Sequence, residues 1–218
     1  MESILREPVI PPWIPILLVG CLALAAMAKL IDHKRFDEFI LLPFTNKYFK
    51  VSGKDRNIFT PFNMFLFGLQ TLSFSIFLFY AVQLQQPQPN FYDGFLFVRI
   101  LGFLVLFIVI KFYVEKITAH LFSIENTVDT YLYYKLSHKN WLGLFLVPFN
   151  FLVFYTFRNQ LSFFVIVVMI TLLINLFLLF YVYREHQKTI VNNIFYFILY
   201  LCTLEIFSYY LLYQLLVN

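Results

Sequence analysis

Charge is what this sequence has least of. Only 13% of its 218 residues are Asp, Glu, Lys or Arg, against roughly 25% in an average soluble domain. Hydrophobic residues make up 61% and mean hydropathy is +0.77. No soluble core of this size needs so much apolar surface, so a water-soluble globular domain does not fit. Cysteine is scarce too. Cys21 and Cys202 are the only two, each inside an apolar run, so there is no disulfide framework and no reading of the redox compartment. Motifs of catalysis are missing: no HExxH, GxSxG, Walker loop or CxxC occurs. The four histidines, His33, His120, His138 and His186, show no metal-ligand spacing. No catalytic, cofactor-binding or metal residues are therefore expected. The net charge of +4 is read through its placement along the chain and does not point to nucleic acid.

Long apolar runs, by contrast, are abundant. A spanning helix needs about 20 mostly apolar residues, and six stretches qualify: 12–30, 62–84, 95–114, 141–157, 161–183 and 191–217. They are continuous and do not alternate, which favours helices over barrel strands. The expected fold is all-α, a single six-helix membrane bundle over residues 1–218. The first run ends in Ala26-Met27-Ala28, which resembles a signal-peptide cleavage site. Its leading segment, MESILREPVIPPW, has two acids and one Arg where a signal peptide has a basic start. A retained span is the expectation.

Thirteen of the sixteen Lys and Arg residues fall in the connections between spans 1 and 2, 3 and 4, and 5 and 6. Only Arg6 and Arg158 lie on the other side, and Arg99 lies within span 3. The positive-inside rule then places both termini outside and the three basic connections in the cytoplasm. The first connection contains an apolar stretch, 36–44, too short to cross; an interfacial or re-entrant segment is expected.

Span 3 is expected to continue past the membrane. No Gly or Pro occurs from Phe103 to Leu142, and Ile117, Leu121, Ile124, Val128 and Tyr131 recur at helical spacing. This predicts a cytoplasmic amphipathic helix over 117–136 extending span 3, with Leu121, Ile124 and Val128 as a face toward lipid or a partner. Lys111 and Glu115, four apart, are placed to pair at the membrane boundary.

An ionisable residue inside the bilayer is costly and is a functional candidate by default. Glu205 lies near the middle of span 6. Its candidate companions are Ser208 and Tyr209 on its own helix, Arg99 near the outer end of span 3, and the amides Asn150 and Asn175. These groups either join helices through hydrogen bonds or line a proton or substrate path; the joining role is favoured.

The stretches TAHLFSIENTVDTYLYYKLSHKNWLGLFLVPFNFLVFY (118–155) and NIFYFILYLCTLEIFSYYLLYQLL (193–216) resemble an uncharacterised family of Bacteroidetes polytopic integral membrane proteins, a domain of unknown function. The likeness runs over nearly the whole chain. In that family a proline often follows the acid by two or three positions; none follows Glu205. The resemblance brings no catalytic residues. It implies the inner membrane of a two-membrane envelope and a part in an envelope assembly such as protein secretion or translocation machinery. The expected function is thus a non-enzymatic inner-membrane subunit or accessory factor of a larger complex, with membrane lipid and other membrane proteins as partners and no cofactor. The alternatives are a small transporter or proton-linked module centred on Glu205, and a lipid-modifying membrane enzyme.

Overall fold

The computed structural model describes residues 11–43, 48–49, 59–85, 91–121, 125–157 and 160–190, with side chains as far as Phe177. Among the described residues six helices are assigned: α1 (Trp13–Ile31), α2 (His33–Ile40), α3 (Pro61–Gln85), α4 (Gly94–Leu121), α5 (Glu125–Tyr155) and α6 (Leu161–Ile190). The architecture is all-α. Contacts divide the chain after Leu178, and the packing below is that of the first unit. The second unit, of which only the remainder of α6 is described, contains Glu205, Ser208 and Tyr209 outside the described residues.

Three helices, α1, α3 and α4, are long and apolar enough to cross a membrane, which points to a multi-pass membrane protein. At about 1.5 Å per residue, the 19 residues of α1 reach about 28 Å, close to the hydrocarbon thickness of a bilayer. The shorter apolar stretch Leu161–Phe177 opens α6. The fourth expected span is the second half of α5, and the sixth lies outside the described residues.

Local chemistry sets the helix ends. Asp32, in an extended conformation, stops α1 and caps α2 by accepting from the Arg35 backbone N–H at 3.0 Å. Pro61 opens α3, where its missing N–H is no loss, and Thr60 Oγ1 accepts from the Asn63 N–H at 3.4 Å. Asp93 caps α4 through the Leu96 N–H at 3.0 Å. Pro148 stands inside α5 on an exposed face; it cannot donate to the carbonyl one turn back.

Helix α3 is the centre, packed chiefly on α5 and α1 and then on α4. The closest approach is at Gly143 of α5, where an added Cβ would lie 2.5 Å from the Gln70 Cα. Only a residue without a side chain lets the two backbones come so near. Two aromatic-rich cores flank this crossing. One gathers Trp13, Phe79, Phe91, Phe97, Tyr80, Phe154 and Phe164 around the C-terminal end of α3. The other gathers Phe36, Phe39, Tyr48, Phe49, Phe62 and Tyr133 around its N-terminal end.

The structure corrects the reading of residues 117–136. Helix α4 does run seven residues past Val114, but it ends at Leu121, and Glu125 begins a new helix that continues unbroken into the expected fourth span. The chain folds back: Ala119 packs with Val128 and Leu132 beside Phe112, and Glu115 meets Lys135. Val128 is buried, but Leu121 and Ile117 are 74% and 60% exposed. Ile124 lies outside the described residues. Helical spacing predicts one face only while the helix is continuous; here Leu121 and Val128 belong to two different helices and the phase is lost.

Candidate functional site

The richest polar cluster sits where α2, the N-terminal end of α3 and the first half of α5 meet. On α2, Phe36 and Phe39 are three apart and buried, which turns Arg35 toward the bundle with them. The Arg35 guanidinium donates from Nη2 to the Tyr133 hydroxyl at 3.0 Å and to Asn63 Oδ1 at 3.4 Å. Tyr133 in turn donates to the Tyr48 hydroxyl at 3.3 Å. The guanidinium carbon lies 4.7 Å from the Phe62 ring centroid and 5.8 Å from that of Tyr48, within cation–π range. Burial, together with the neighbouring Tyr48, raises the Tyr133 phenol well above its ordinary value against the opposing pull of Arg35. Tyr133 is therefore a neutral hydrogen-bonding group at physiological pH.

Around this node the packing is tight. Phe49 stacks on Tyr134 with centroids 3.8 Å apart and on His138 at 5.5 Å. His138 Nδ1 lies 2.7 Å from the Tyr134 carbonyl, and burial lowers its pKa to about 4, so the imidazole is neutral. The Trp141 indole donates to the Ile40 carbonyl at 3.0 Å. That bond closes the C-terminal end of α2, where carbonyls otherwise lack partners. Two buried atoms of α2, Arg35 Nε and Glu38 Oε2, have no hydrogen-bond partner among the described residues.

A second polar contact ties α4 to α5. Glu115 Oε1 meets Lys135 Nζ at 2.7 Å, with both side chains almost covered, at 6% and 12% exposed. The sequence names Lys111 as the neighbour of Glu115 and gives no hint of Lys135, because the pair exists only once α5 lies back against α4. Lys116 and Asp129, 3.8 Å apart and nearly half exposed, form a looser contact of the same hairpin.

Deeper in the bundle, the Asn150 amide donates to the Ser73 carbonyl at 2.9 Å and to its hydroxyl at 3.2 Å, joining α5 to α3. Ser75 and Thr71 turn back onto carbonyls of their own helix, as does Thr171 on α6. The amide oxygens Gln70 Oε1, Asn140 Oδ1 and Asn150 Oδ1 are buried without partners among the described residues.

The other expected site residues are dispersed. Arg99 is exposed near the start of α4 and Asn175 is half-buried on α6. The structure brings neither to Asn150. Among the described residues no group of three or more His, Cys, Asp or Glu could hold a metal ion.

An apolar groove of about 280 Å³ lies between α3, α4 and α5, lined by Phe59, Asn63, Met64, Phe67, Ile108, Val109, Phe112, Tyr113 and Leu136. Asn63, which accepts from Arg35, is its one amide.

A family model described as "Domain of unknown function (DUF4271)" matches residues 14–216, almost the whole chain. The chain belongs to this family. No curated protein and no solved structure matches it. The DUF4271 match takes in both polar nodes.

Sequence reasoning missed Arg35, Tyr48, Tyr133 and Lys135. For Arg35 a signal existed. Asp32 three residues earlier marks a helix start, and on that helix Arg35 stands one turn from Phe39, on the apolar face. Tyr48 and Tyr133 carry no local signal; they meet only through the fold.

Proposed function

We propose that this chain is a non-enzymatic inner-membrane subunit or accessory factor of a larger envelope membrane complex. Its basic connections face the cytoplasm and both ends lie outside. The observation that carries the reading is where the bundle's polar atoms go. Asn150 reaches Ser73, Glu115 reaches Lys135, and Trp141 reaches the end of α2. Each contact fixes one helix against another, and the described groove is apolar. Polar groups of a solute path would instead line a wet cavity. Helices α1, α4 and α6 also turn large apolar residues outward, among them Leu22, Leu106 and Leu173, a surface for lipid or for other membrane helices. Protein secretion or translocation machinery is the kind of assembly that the family resemblance suggests.

Purification in a gentle detergent, followed by mass spectrometry, tests this. The chain is expected to come with other membrane proteins in fixed ratio. A monodisperse monomer that moves a solute into liposomes, and loses this on Glu205→Gln while accumulating normally, would replace this reading with a transporter. A reporter that works only in the cytoplasm, fused after Asn218, is expected to be silent; activity there would reverse the topology.

A further inference from the structure

The Arg35 guanidinium is partly buried and has no counter-anion among the described residues. Its hydrogen bonds go to neutral groups, Asn63 and Tyr133. Among the described residues the electrostatic influences on it are two phenols, Tyr48 and Tyr133, with no carboxylate. Its Nε is enclosed and has no acceptor among the described residues. A cation withdrawn from water without an anion is costly, and the guanidinium fork is shaped for a phosphate or carboxylate. The rings of Phe62 and Tyr48 hold it in place, so it is not free to swing out to solvent.

The surroundings select the kind of anion. Arg35 stands one turn past the end of apolar α1, and Asn63 stands at the start of apolar α3, so the node lies level with the span ends. Ile31, Ile40, Leu41 and Phe59 are exposed near it in the chain, beside the exposed charge of Lys34, a mixed rim that suits an amphiphile. Asn63 is shared by the node and by the 280 Å³ apolar groove. The groove therefore begins one hydrogen bond from the guanidinium and runs past Met64, Phe67 and Phe112. An anion head with an apolar tail satisfies both parts.

We propose that Arg35 binds the phosphate of an anionic phospholipid whose acyl chain lies in the groove between α3 and α4. The Tyr133–Tyr48 pair and Asn63 hold the guanidinium for it. The lipid supplies the missing negative charge.

Native mass spectrometry of the delipidated full chain, titrated with phosphatidylglycerol, tests this. One phosphatidylglycerol is expected to bind saturably, and phosphatidylcholine more weakly. Arg35→Gln should weaken phosphatidylglycerol by about tenfold or more, the loss of a charged hydrogen bond. Lys34→Gln, which removes a neighbouring exposed charge, should change it by no more than about twofold. Should Arg35→Gln fail to accumulate, Arg35→Lys keeps the charge and should still weaken binding, because the fork is gone. In a second readout, Phe67→Trp should crowd the groove and reduce lipid retention with Arg35 intact. Equal binding of the two lipids, undiminished binding by the Arg35 variant, or retention unaffected at Phe67 would overturn the proposal. Displacement of the lipid by millimolar inorganic phosphate would make this a soluble-anion site and overturn the lipid assignment.

Discussion

Helices α3 and α4 are similar in length and both can span a bilayer, yet they occupy opposite places. In its most apolar stretch α4 has a mean hydropathy of 2.6 with 11% of residues buried; α3 has 1.8 with 50% buried. The less hydrophobic helix is the inner one. Its Asn63, Gln70, Thr71, Ser73, Ser75 and Gln83 are all buried, whereas α4 turns Leu106, Ile110 and Tyr113 outward. In water the order would be reversed. In lipid, tails are as apolar as leucine, so burial falls to the helix that offers small residues for close approach and polar ones for hydrogen bonds.

The comparison can be broken hardest at the tether of α4. Lys135→Ala leaves the covered Glu115 carboxylate without its cation, at an expected cost of about 3–5 kcal/mol. Replacing both with apolar residues of similar size should recover much of it. Thermal unfolding in detergent reads both; equal losses in the single and double variants would show that the pair does not hold α4. Acid should strike the core side next. His138 has a folded pKa of about 4, below the ordinary value near 6.5. The unfolded chain therefore binds the proton first, and the stability present above about pH 6.5 falls as pH drops toward 4, by up to about 3 kcal/mol. His138→Phe should flatten that part of the pH profile.

Glycine positions sharpen the contrast. Gly143→Ala forces a methyl group against the Gln70 backbone and should cost about 1–3 kcal/mol, while Gly102→Ala on α4 meets nothing within 4 Å and should shift stability by less than about 1 kcal/mol. Alkylation of Cys21, which is buried, in a Cys202→Ser background follows the opening of the bundle; similar rates in the two glycine variants would end the distinction. A smaller effect than that of Gly143→Ala is expected at the Asn150–Ser73 contact of the same two helices. Asn150→Leu removes both bonds to Ser73, together worth about 0.6–2 kcal/mol, and should raise Cys21 labelling modestly.

Much of this was legible beforehand. Spans at 12–30, 62–84 and 95–114 fall within one or two residues of α1 and α3 and of the start of α4, because unbroken apolar runs in this composition have no other stable form. The all-α class follows for the same reason. The return of α5 along α4 was hidden, since no Gly or Pro occurs from Phe103 to Leu142 and the apolar spacing runs straight through. The polar nodes were hidden for another reason. Glu115 and Lys135 are twenty residues apart, and Tyr48 and Tyr133 eighty-five; nothing local distinguishes a tyrosine that will meet an arginine from one that faces lipid.

The two tryptophans, Trp13 and Trp141, are the only ones in the chain, and they sit in the two separate aromatic cores. Trp13 lies against Phe79 and Phe97; Trp141 stacks on Phe145 while bonded to the Ile40 carbonyl. Each is thus a built-in fluorophore for one end of the bundle. With Trp13→Phe, emission comes from the end that holds α2 and Arg35 alone, and with Trp141→Phe from the opposite end. Quenchers set at known depths in a bilayer could then locate both faces of the protein without attaching a single label.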